Sequence, residues 1–175
     1  MLEVEVKYAV PSLDEVRARL IALGGEMCGS GHERDVYYNA PHRDFGETDE
    51  ALRVRYTEGS CSVTYKGPKI RLKGTKAREE FNLQVDSGTT VEEILGRVGF
   101  VATAEVNKDR EFFGIRGATV TLDAVEKLGT FIEIEVLAEE DGENAADLVN
   151  ILAKELGVEG PPLHTSYLEM ILSKQ

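Results

Sequence analysis

Two segments far apart in the chain alternate apolar and charged residues with a period of two, and both contain the pattern Glu-x-Glu. They are Leu2–Tyr8, with Glu3, Glu5 and Lys7, and Phe131–Leu137, with Glu133 and Glu135. A β-strand points successive side chains to opposite faces, so each segment predicts a strand with one apolar and one charged face. Taken alone, such a pattern is most often a solvated edge strand. Two such strands side by side would instead gather four carboxylates.

Similar two-faced segments fill the middle of the chain, and their polar faces hold basic residues. They are 51–56 with Arg53 and Arg55, 61–66 with Lys66, and 78–85 with Arg78 and Glu80. The stretch Gly67–Lys76 is predicted to be a glycine-bearing basic loop, either a solvated hairpin tip or a flap over an anion. Lys108 and Arg110 occur on a strand that we expect to break or turn near 107–110. Asp123 is expected to share a face with the second Glu-x-Glu segment.

Four short amphipathic helices are predicted between and after the strands. Two of them begin with the spacing of a capping box, in which a side-chain oxygen accepts from the backbone N–H three residues on. The capping pairs are Ser12 with Glu15 and Thr90 with Glu93, and the other helices are expected at about 144–156 and 166–172. Because each strand has an apolar face that needs cover, the helices should lie outside a mainly antiparallel α+β sheet.

Composition excludes several classes of protein. A chain of 175 residues suits a single domain, and its net charge of −12 argues against general binding of nucleic acid, which needs a basic surface. No apolar run could span a bilayer, and the N-terminus lacks a basic region followed by an apolar one. We therefore expect a cytoplasmic protein with no signal peptide and no membrane partner. The two cysteines and three histidines lack metal-ligand spacing, so neither a zinc nor a disulfide framework is expected.

Basic residues are concentrated in one quarter of this acidic chain. They are Arg53, Arg55, Lys66, Lys69, Arg71, Lys73, Lys76 and Arg78. A solvated sheet face would not need so many arginines, and about eight strands can close around side chains and a small ligand. Enclosed charges must be paired with each other or with a ligand. The sequence therefore favours a polar tunnel, with a barrel held by its own salt bridges as the alternative.

Short motifs spread over nearly the whole chain occur in a characteristic order. They are Glu3-x-Glu5-x-Lys7, Asp35-x-Tyr37-Tyr38, Leu52-Arg53-x-Arg55, Tyr65-Lys66-Gly67-Pro68, Arg78-x-Glu80, Lys108 with Arg110, Leu122-Asp123, and Gly129-x-Phe131-x-Glu133-x-Glu135. The ordered set resembles the CYTH superfamily, whose name joins class IV adenylyl cyclases and thiamine triphosphatases. The resemblance implies a closed antiparallel eight-stranded β-barrel, the triphosphate tunnel, with helices packed outside. Basic residues there would grip a triphosphate, and acidic residues would hold a divalent metal.

The chemistry of the residues agrees with that implication. Mg²⁺ (or Mn²⁺) takes oxygen ligands, often one or two carboxylates together with substrate phosphates. Arginine and lysine supply the cations that bind phosphate. The expected metal ligands are Glu3, Glu5, Asp123, Glu133 and Glu135. The expected triphosphate-binding residues are Lys7, Arg53, Arg55, Lys66, Lys76, Arg78, Lys108 and Arg110, and of these Lys7, Arg78 and Lys108 are also expected to be catalytic.

The resemblance leaves the reaction open. The Tyr65–Pro68 and Leu122-Asp123 motifs, together with Ser166-Tyr167, are most similar to the class IV cyclase branch, which converts ATP to cyclic AMP and pyrophosphate. A triphosphatase acting on inorganic, nucleoside or thiamine triphosphate is the second expectation, and a non-catalytic polyphosphate-binding module is the third. The expected partner is thus an organic or inorganic triphosphate, and a homodimer is left open. No motif identifies a base pocket, since His32, Tyr37 and Phe112 could equally belong to the core.

Like charges on an inward face have a further expected consequence. Four cations (Arg53, Arg55, Lys66 and Arg78) would repel one another, and so would the glutamates Glu3, Glu5, Glu133 and Glu135. The tunnel alone is therefore expected to be strained and partly open. A barrel whose charges are paired internally would not be strained in this way.

Overall fold

The fold is a closed barrel, seen in a computed structural model that describes residues 2–73, 75–138 and 142–175. Its strands are β1 (Leu2–Ala9), β2 (Glu26–Asn39), β3 (Ala51–Thr57), β4 (Ser60–Lys66), β5 (Ile70–Leu72), β6 (Thr75–Val85), β7 (Val101–Ile115), β8 (Ala118–Val125) and β9 (Gly129–Ala138). They follow the order β1-β9-β8-β7-β2-β3-β4-β6-β5, with every pair antiparallel, and β1 also pairs with β6. Eight strands thus form a ring, with β5 attached beside β6. The predicted closed eight-stranded antiparallel barrel is confirmed.

Five helices lie within the described residues. They are α1 (Leu13–Ala22), α2 (Phe45–Thr48), α3 (Gly88–Arg97), α4 (Glu143–Glu155) and α5 (Tyr167–Leu172). Four were predicted, and Ser12 caps α1 as expected. The predicted cap of α3 is wrong: Ser87, not Thr90, accepts from the backbone at the helix start. The single turn of α2 was not predicted. None of these helices combines the length and apolar character required to cross a membrane.

The helices cover the outer face of the barrel because the outward side chains are apolar. On β1, Val4 and Val6 are almost fully buried and belong to a core that also contains Leu20 of α1 and Leu152 of α4. A second cluster lies under α5, and a third lies under α3. Since the apolar side chains point outward to the helices, the charged side chains of the same strands point into the barrel.

Two stretches differ from their predictions. The expected break near 107–110 is wrong, because β7 runs without interruption and pairs with β8 from Lys108 to Ile115 and with β2 on its other edge. Lys108 and Arg110 therefore share one inward face. The stretch predicted as a loop at 67–76 contains β5, and Lys76 is already part of β6.

Two glycines of α3 provide a test of how this helix packs. A Cβ on Gly88 would lie 2.5 Å from the ring of Tyr56, whereas a Cβ on Gly96 would have nothing within 4 Å. The Tyr56 ring is held in place because its hydroxyl donates to Glu92. We expect Gly88→Ala to lower the free energy of unfolding by about 1–3 kcal/mol through overpacking. Gly96→Ala should raise it by about 0.5 kcal/mol because alanine favours the helix.

Urea unfolding of the two variants measures both effects. Both variants replace a glycine of α3 with alanine, so opposite changes in the free energy of unfolding isolate the contact with Tyr56. A Gly88→Ala protein as stable as the Gly96→Ala protein would contradict this packing.

Candidate active site: a charged tunnel

A polar tunnel of about 240 Å³ lies inside the barrel. Of the thirteen residues predicted to bind triphosphate or metal, twelve line it: Glu3, Glu5, Lys7, Arg53, Arg55, Lys66, Lys76, Arg78, Lys108, Arg110, Glu133 and Glu135. The thirteenth, Asp123, is fully buried and bound to Arg110. Residues distant in sequence meet here because successive strands place their polar faces toward one axis.

Three carboxylates form a compact cluster on one wall. Single oxygen atoms of Glu3, Glu5 and Glu135 all lie within 4.8 Å of one another. The register explains this, since Glu5 lies directly opposite Glu135 in the β1–β9 ladder and Glu3 shares the inward face of β1. Glu3 is paired with Lys66 at 2.5 Å, and Glu5 is paired with Lys76.

Glu135 differs from its two neighbours. No ion pair within 4 Å joins it to any cation of the described ranges. Burial and the nearby charge of Glu3 raise the pKa of Glu135 to about 8. A dication would relieve this repulsion, and carboxylate oxygens are the donors that Mg²⁺ prefers. The cluster therefore fits the metal that the sequence implies.

The other two predicted metal ligands lie in a separate group around Arg110. Its guanidinium donates to both oxygens of Asp123, at 2.6 and 2.5 Å, and to Glu133 at 2.7 Å. Lys7 lies 3.1 Å from Glu133. Although burial opposes ionisation, Lys7 and Arg110 hold the pKa of Glu133 well below its usual range. The predicted metal set thus divides into a cluster of three carboxylates and a pair neutralised by cations.

Two carboxylates on β2 were not predicted as site residues. Asp35, which is fully buried, accepts from Arg55 at 2.6 and 2.7 Å and from Lys108 at 3.0 Å. Glu33 lies 3.1 Å from Arg55 and 3.2 Å from Lys108. The period-two pattern Glu33-x-Asp35-x-Tyr37 could have identified them, because it matches the inward pattern of β1. The polar, glycine-containing start of β2 obscured it.

These pairs neutralise many of the charges from which a strained, partly open tunnel was expected. Arg53 lies 3.6 Å from Asp35, and Lys66 is also paired with Glu80 at 3.0 Å. Arg78 uses backbone partners instead, donating to the carbonyl oxygens of Gly67 and Asp49 at 2.6 and 2.9 Å. Acids and carbonyl groups therefore offset the predicted repulsion among the cations.

Some polar groups of the tunnel are still able to form a hydrogen bond to a ligand. Arg53 Nε and Thr121 Oγ1 are buried and have no hydrogen-bond partner within the described part of the chain. Burial, together with the neighbouring charge of Arg110, lowers the pKa of Lys108 to about 8. A fraction of the Lys108 side chains is therefore neutral near that pH and able to accept a proton.

The C-terminal segment contributes to the lining of the tunnel. The ring centre of Tyr167 lies 3.8 Å from Lys7 Nζ, and its hydroxyl donates to Asp123 at 2.7 Å. Lys7 is further held by the carbonyl oxygen of Thr165 at 3.3 Å. Ser166, the cap of α5, lines the tunnel beside them.

Comparisons with known proteins agree with this geometry. The family model of the CYTH domain matches residues 1–163. The chain belongs to the CYTH family. A Methanocaldococcus jannaschii protein, provisionally named an adenylate cyclase, is 38% identical over 135 residues, which cover 77% of each chain. The structure of the PH1819 protein from Pyrococcus horikoshii superposes with a TM-score of 0.87 at 39% identity, covering 99% of both chains.

A more distant structure shares only the CYTH fold. It belongs to a Hippeastrum protein, provisionally classed as an adenylyl cyclase and described as having a dominant triphosphatase activity. Its TM-score is 0.73 at 20% identity, over 99% of this chain and 96% of that one. The resemblance inferred from the sequence motifs is confirmed.

The carboxylate cluster makes stability depend on pH when metal is removed. The pKa of Glu135 is raised in the folded protein, so folding favours its neutral form. The contribution of this neutral carboxyl group to the free energy of unfolding is complete below about pH 4.5, the ordinary pKa of a glutamate. It is lost as the pH rises through about 8. In EDTA at pH 9, Glu135→Gln should therefore raise the free energy of unfolding by roughly 1–3 kcal/mol. At pH 5 the two proteins should differ little.

Thermal or urea unfolding across this pH range measures the effect. The exposed Glu15→Gln variant is the matched control and should show no such trend. If the gain from Glu135→Gln were the same at pH 5 and pH 9, the three carboxylates would not be coupled in this way.

Proposed function

We propose that this CYTH protein is a Mg²⁺-dependent enzyme that acts on a triphosphate, and that its reaction is the conversion of ATP to cyclic AMP and pyrophosphate. The observation that carries the proposal is the meeting of a cation group and a three-carboxylate cluster in one tunnel. The names of two relatives support the cyclase. They are the Methanocaldococcus jannaschii protein and the adenylate cyclase CyaB of Aeromonas hydrophila, which is 23% identical over 93% of this chain and 84% of CyaB.

The cations would bind the phosphates. Arg53, Arg55 and Lys66 lie on two neighbouring strands, and a triphosphate is long enough to contact several of them. Asp35 and Glu33 already hold the Arg55 side chain in position, so little rearrangement is needed when phosphate oxygens approach. Cations that are held in position before the reaction are effective in stabilising the charge that develops in the transition state.

Glu3, Glu5 and Glu135 would hold the Mg²⁺. When bound there, the ion would neutralise phosphate oxygens and favour ionisation of an attacking hydroxyl group. Asp123 and Glu133 would serve chiefly to hold Arg110 and Lys7. Arg78 would shape the tunnel rim through its two bonds to backbone carbonyl groups.

Lys108 is the side chain best suited to remove a proton. Its lowered pKa keeps part of it neutral near pH 8. In a cyclase, it would accept the proton of the ribose 3′-hydroxyl as that oxygen bonds to the α-phosphorus and the bond to pyrophosphate breaks. Arg53 and Arg55 would stabilise the charge on the departing pyrophosphate. Lys7, fixed by Glu133 and Tyr167, would stabilise charge on the transferred phosphoryl group.

A triphosphatase is the second candidate function. The same cations and carboxylates serve attack by water on the terminal phosphorus. The activity described for the Hippeastrum protein is one reason to retain this candidate, although that likeness concerns the fold alone. A polyphosphate-binding module without catalysis is the third.

Product analysis distinguishes these functions. We expect the pure protein with ATP and Mg²⁺ to release cyclic AMP and pyrophosphate, and Lys108→Met to lose most of this activity. ADP and phosphate would instead identify a triphosphatase. Binding of ATP without turnover would overturn the cyclase, and the binding module would be favoured if inorganic and thiamine triphosphate were also bound without turnover.

The phosphate clamp predicts a difference between anions. Arg55→Ala should weaken binding of tripolyphosphate at least tenfold and weaken binding of monophosphate less, because only the longer anion contacts several cations at once. Isothermal titration measures both affinities. The control is Arg34→Ala, since Arg34 is half-buried and bound to Glu105 on the outside of the barrel. An equal loss for the two anions would argue against a clamp.

A further inference from the structure

Lysine side chains bind two of the three carboxylates that are proposed to hold the metal. Lys66 Nζ donates to both oxygens of Glu3, at 2.7 and 2.5 Å. Lys76 is ion-paired with Glu5, and both residues of that pair are buried. A metal ion held by Glu3 and Glu5 must therefore compete with two ammonium groups for the same oxygen atoms.

The strand register places this competition at the carboxylate cluster. On one side of β1, Glu5 lies opposite Glu135 in the β1–β9 ladder, and on the other side it lies opposite Lys76 in the β1–β6 ladder. Side chains directly opposite each other in an antiparallel pair are close enough to interact. The Glu5 carboxylate therefore lies between an acid with which it can share a cation and a lysine that neutralises it.

The two lysines also belong to the proposed phosphate-binding group. Both line the tunnel, Lys66 from β4 and Lys76 from β6. A lysine ammonium group has three donors on a flexible stem of four carbons, so it can move from a carboxylate to a phosphate oxygen while the backbone stays in place. Arg55 differs, because two hydrogen bonds to Asp35 fix its planar guanidinium group.

Charge pairing favours two states of the tunnel. In the ligand-free protein, the lysines and the carboxylates neutralise each other. With both ligands bound, the phosphates would neutralise the lysines and the metal would neutralise the carboxylates. Either ligand alone would leave one of the two sets without its partner, and an unpaired charge in an enclosed site is costly.

We propose that the two lysines bound to the cluster, Lys66 and Lys76, exchange partners when the substrate binds. They would leave Glu3 and Glu5 for phosphate oxygens, so that the carboxylates become free to hold Mg²⁺. The inference rests on the proposed function, because the tunnel must bind a triphosphate and the cluster must bind the metal. It adds that each ligand raises the affinity of the protein for the other, by the same factor in both directions. The protein without a triphosphate should then bind Mg²⁺ only weakly.

Lys76→Met tests the exchange, because methionine keeps an unbranched side chain of similar length and removes the ammonium group. Glu5 is the one ion-pair partner of Lys76 within the described ranges, whereas Lys66 also pairs with Glu80. In the absence of a triphosphate, the variant should bind Mg²⁺ with an affinity higher by about fivefold or more, since a competitor for Glu5 is gone. It should bind a triphosphate about tenfold or more weakly, since a phosphate donor is gone.

Isothermal titration measures both affinities. The triphosphate is supplied as the analogue in which methylene groups replace both bridging oxygens between phosphorus atoms, so that no turnover occurs. The coupling factor is the ratio of the affinities for this analogue with and without Mg²⁺, and it should fall about threefold or more in Lys76→Met. Binding of Mg²⁺ to the analogue in solution is the same for every variant and therefore does not alter the comparison.

Lys108→Met is the matched control. It makes the same substitution in the same tunnel, but the Lys108 ammonium group is bound to Asp35 and Glu33 and not to the carboxylate cluster. It should weaken binding of the analogue and change the coupling factor by less than about twofold. Melting temperatures establish that each variant is folded, and Lys66→Met serves as the second test if Lys76→Met is not.

The outcomes distinguish the exchange from the wider function. If Lys76→Met binds Mg²⁺ no more tightly than the unmodified protein does, or if Lys108→Met lowers the coupling factor equally, the exchange is overturned while triphosphate binding stands. The same holds if the unmodified protein binds Mg²⁺ as tightly without the analogue as with it, a measurement that needs no variant. If the unmodified protein does not bind the analogue even with Mg²⁺, the proposed function fails and the exchange fails with it.

Discussion

The structure depends on one constraint, which is the cost of enclosing charges in a space with little water. An ionised side chain removed from water loses several kcal/mol of hydration free energy, in order of magnitude, unless a partner replaces that hydration. In this barrel, charges of opposite sign meet across neighbouring strands, as Arg55 meets Asp35 and Lys66 meets Glu80. The same strands direct their apolar side chains outward, where the helices bury them. The polar interior and the apolar exterior thus both follow from the alternation of polar and apolar side chains along each strand.

The internal carboxylates have a dual role in this arrangement. Asp35 stabilises the folded protein because it neutralises Arg55 and Lys108, and it also fixes their positions. A phosphate that approaches these cations must compete with Asp35 for them. The groups that hold the cations in place would therefore also moderate the affinity for phosphate, which would suit the proposed release of a charged product. Glu135 is the contrasting case, since it belongs to the three-carboxylate cluster and no ion pair joins it to a cation among the described residues.

Much of the fold and site could be predicted because β1 and β9 alternate strictly, and a strict alternation fixes which side chains share a face. The motif order then identified the barrel. The predictions that were wrong concern features that depend on pairing between distant strands. Lys108 and Arg110 seemed close to a turn by local sequence alone, yet ladders to β2 and β8 keep that stretch extended. The role of Glu33 and the backbone partners of Arg78 were also missed, because both depend on tertiary contacts.

The barrel is closed by β1, whose neighbours are β6 and β9. The first strand of the barrel therefore pairs with the last, and the ring cannot close before β9 is present. Until β6 or β9 is in place, β1 is an unpaired strand, the kind of element that joins other chains into aggregates. Glu3, Glu5 and Lys7 place a charge at every second position of this strand. Charged side chains on an unpaired strand oppose such joining, so the side chains proposed to act on phosphates and metal have a second consequence for a chain that has not finished folding.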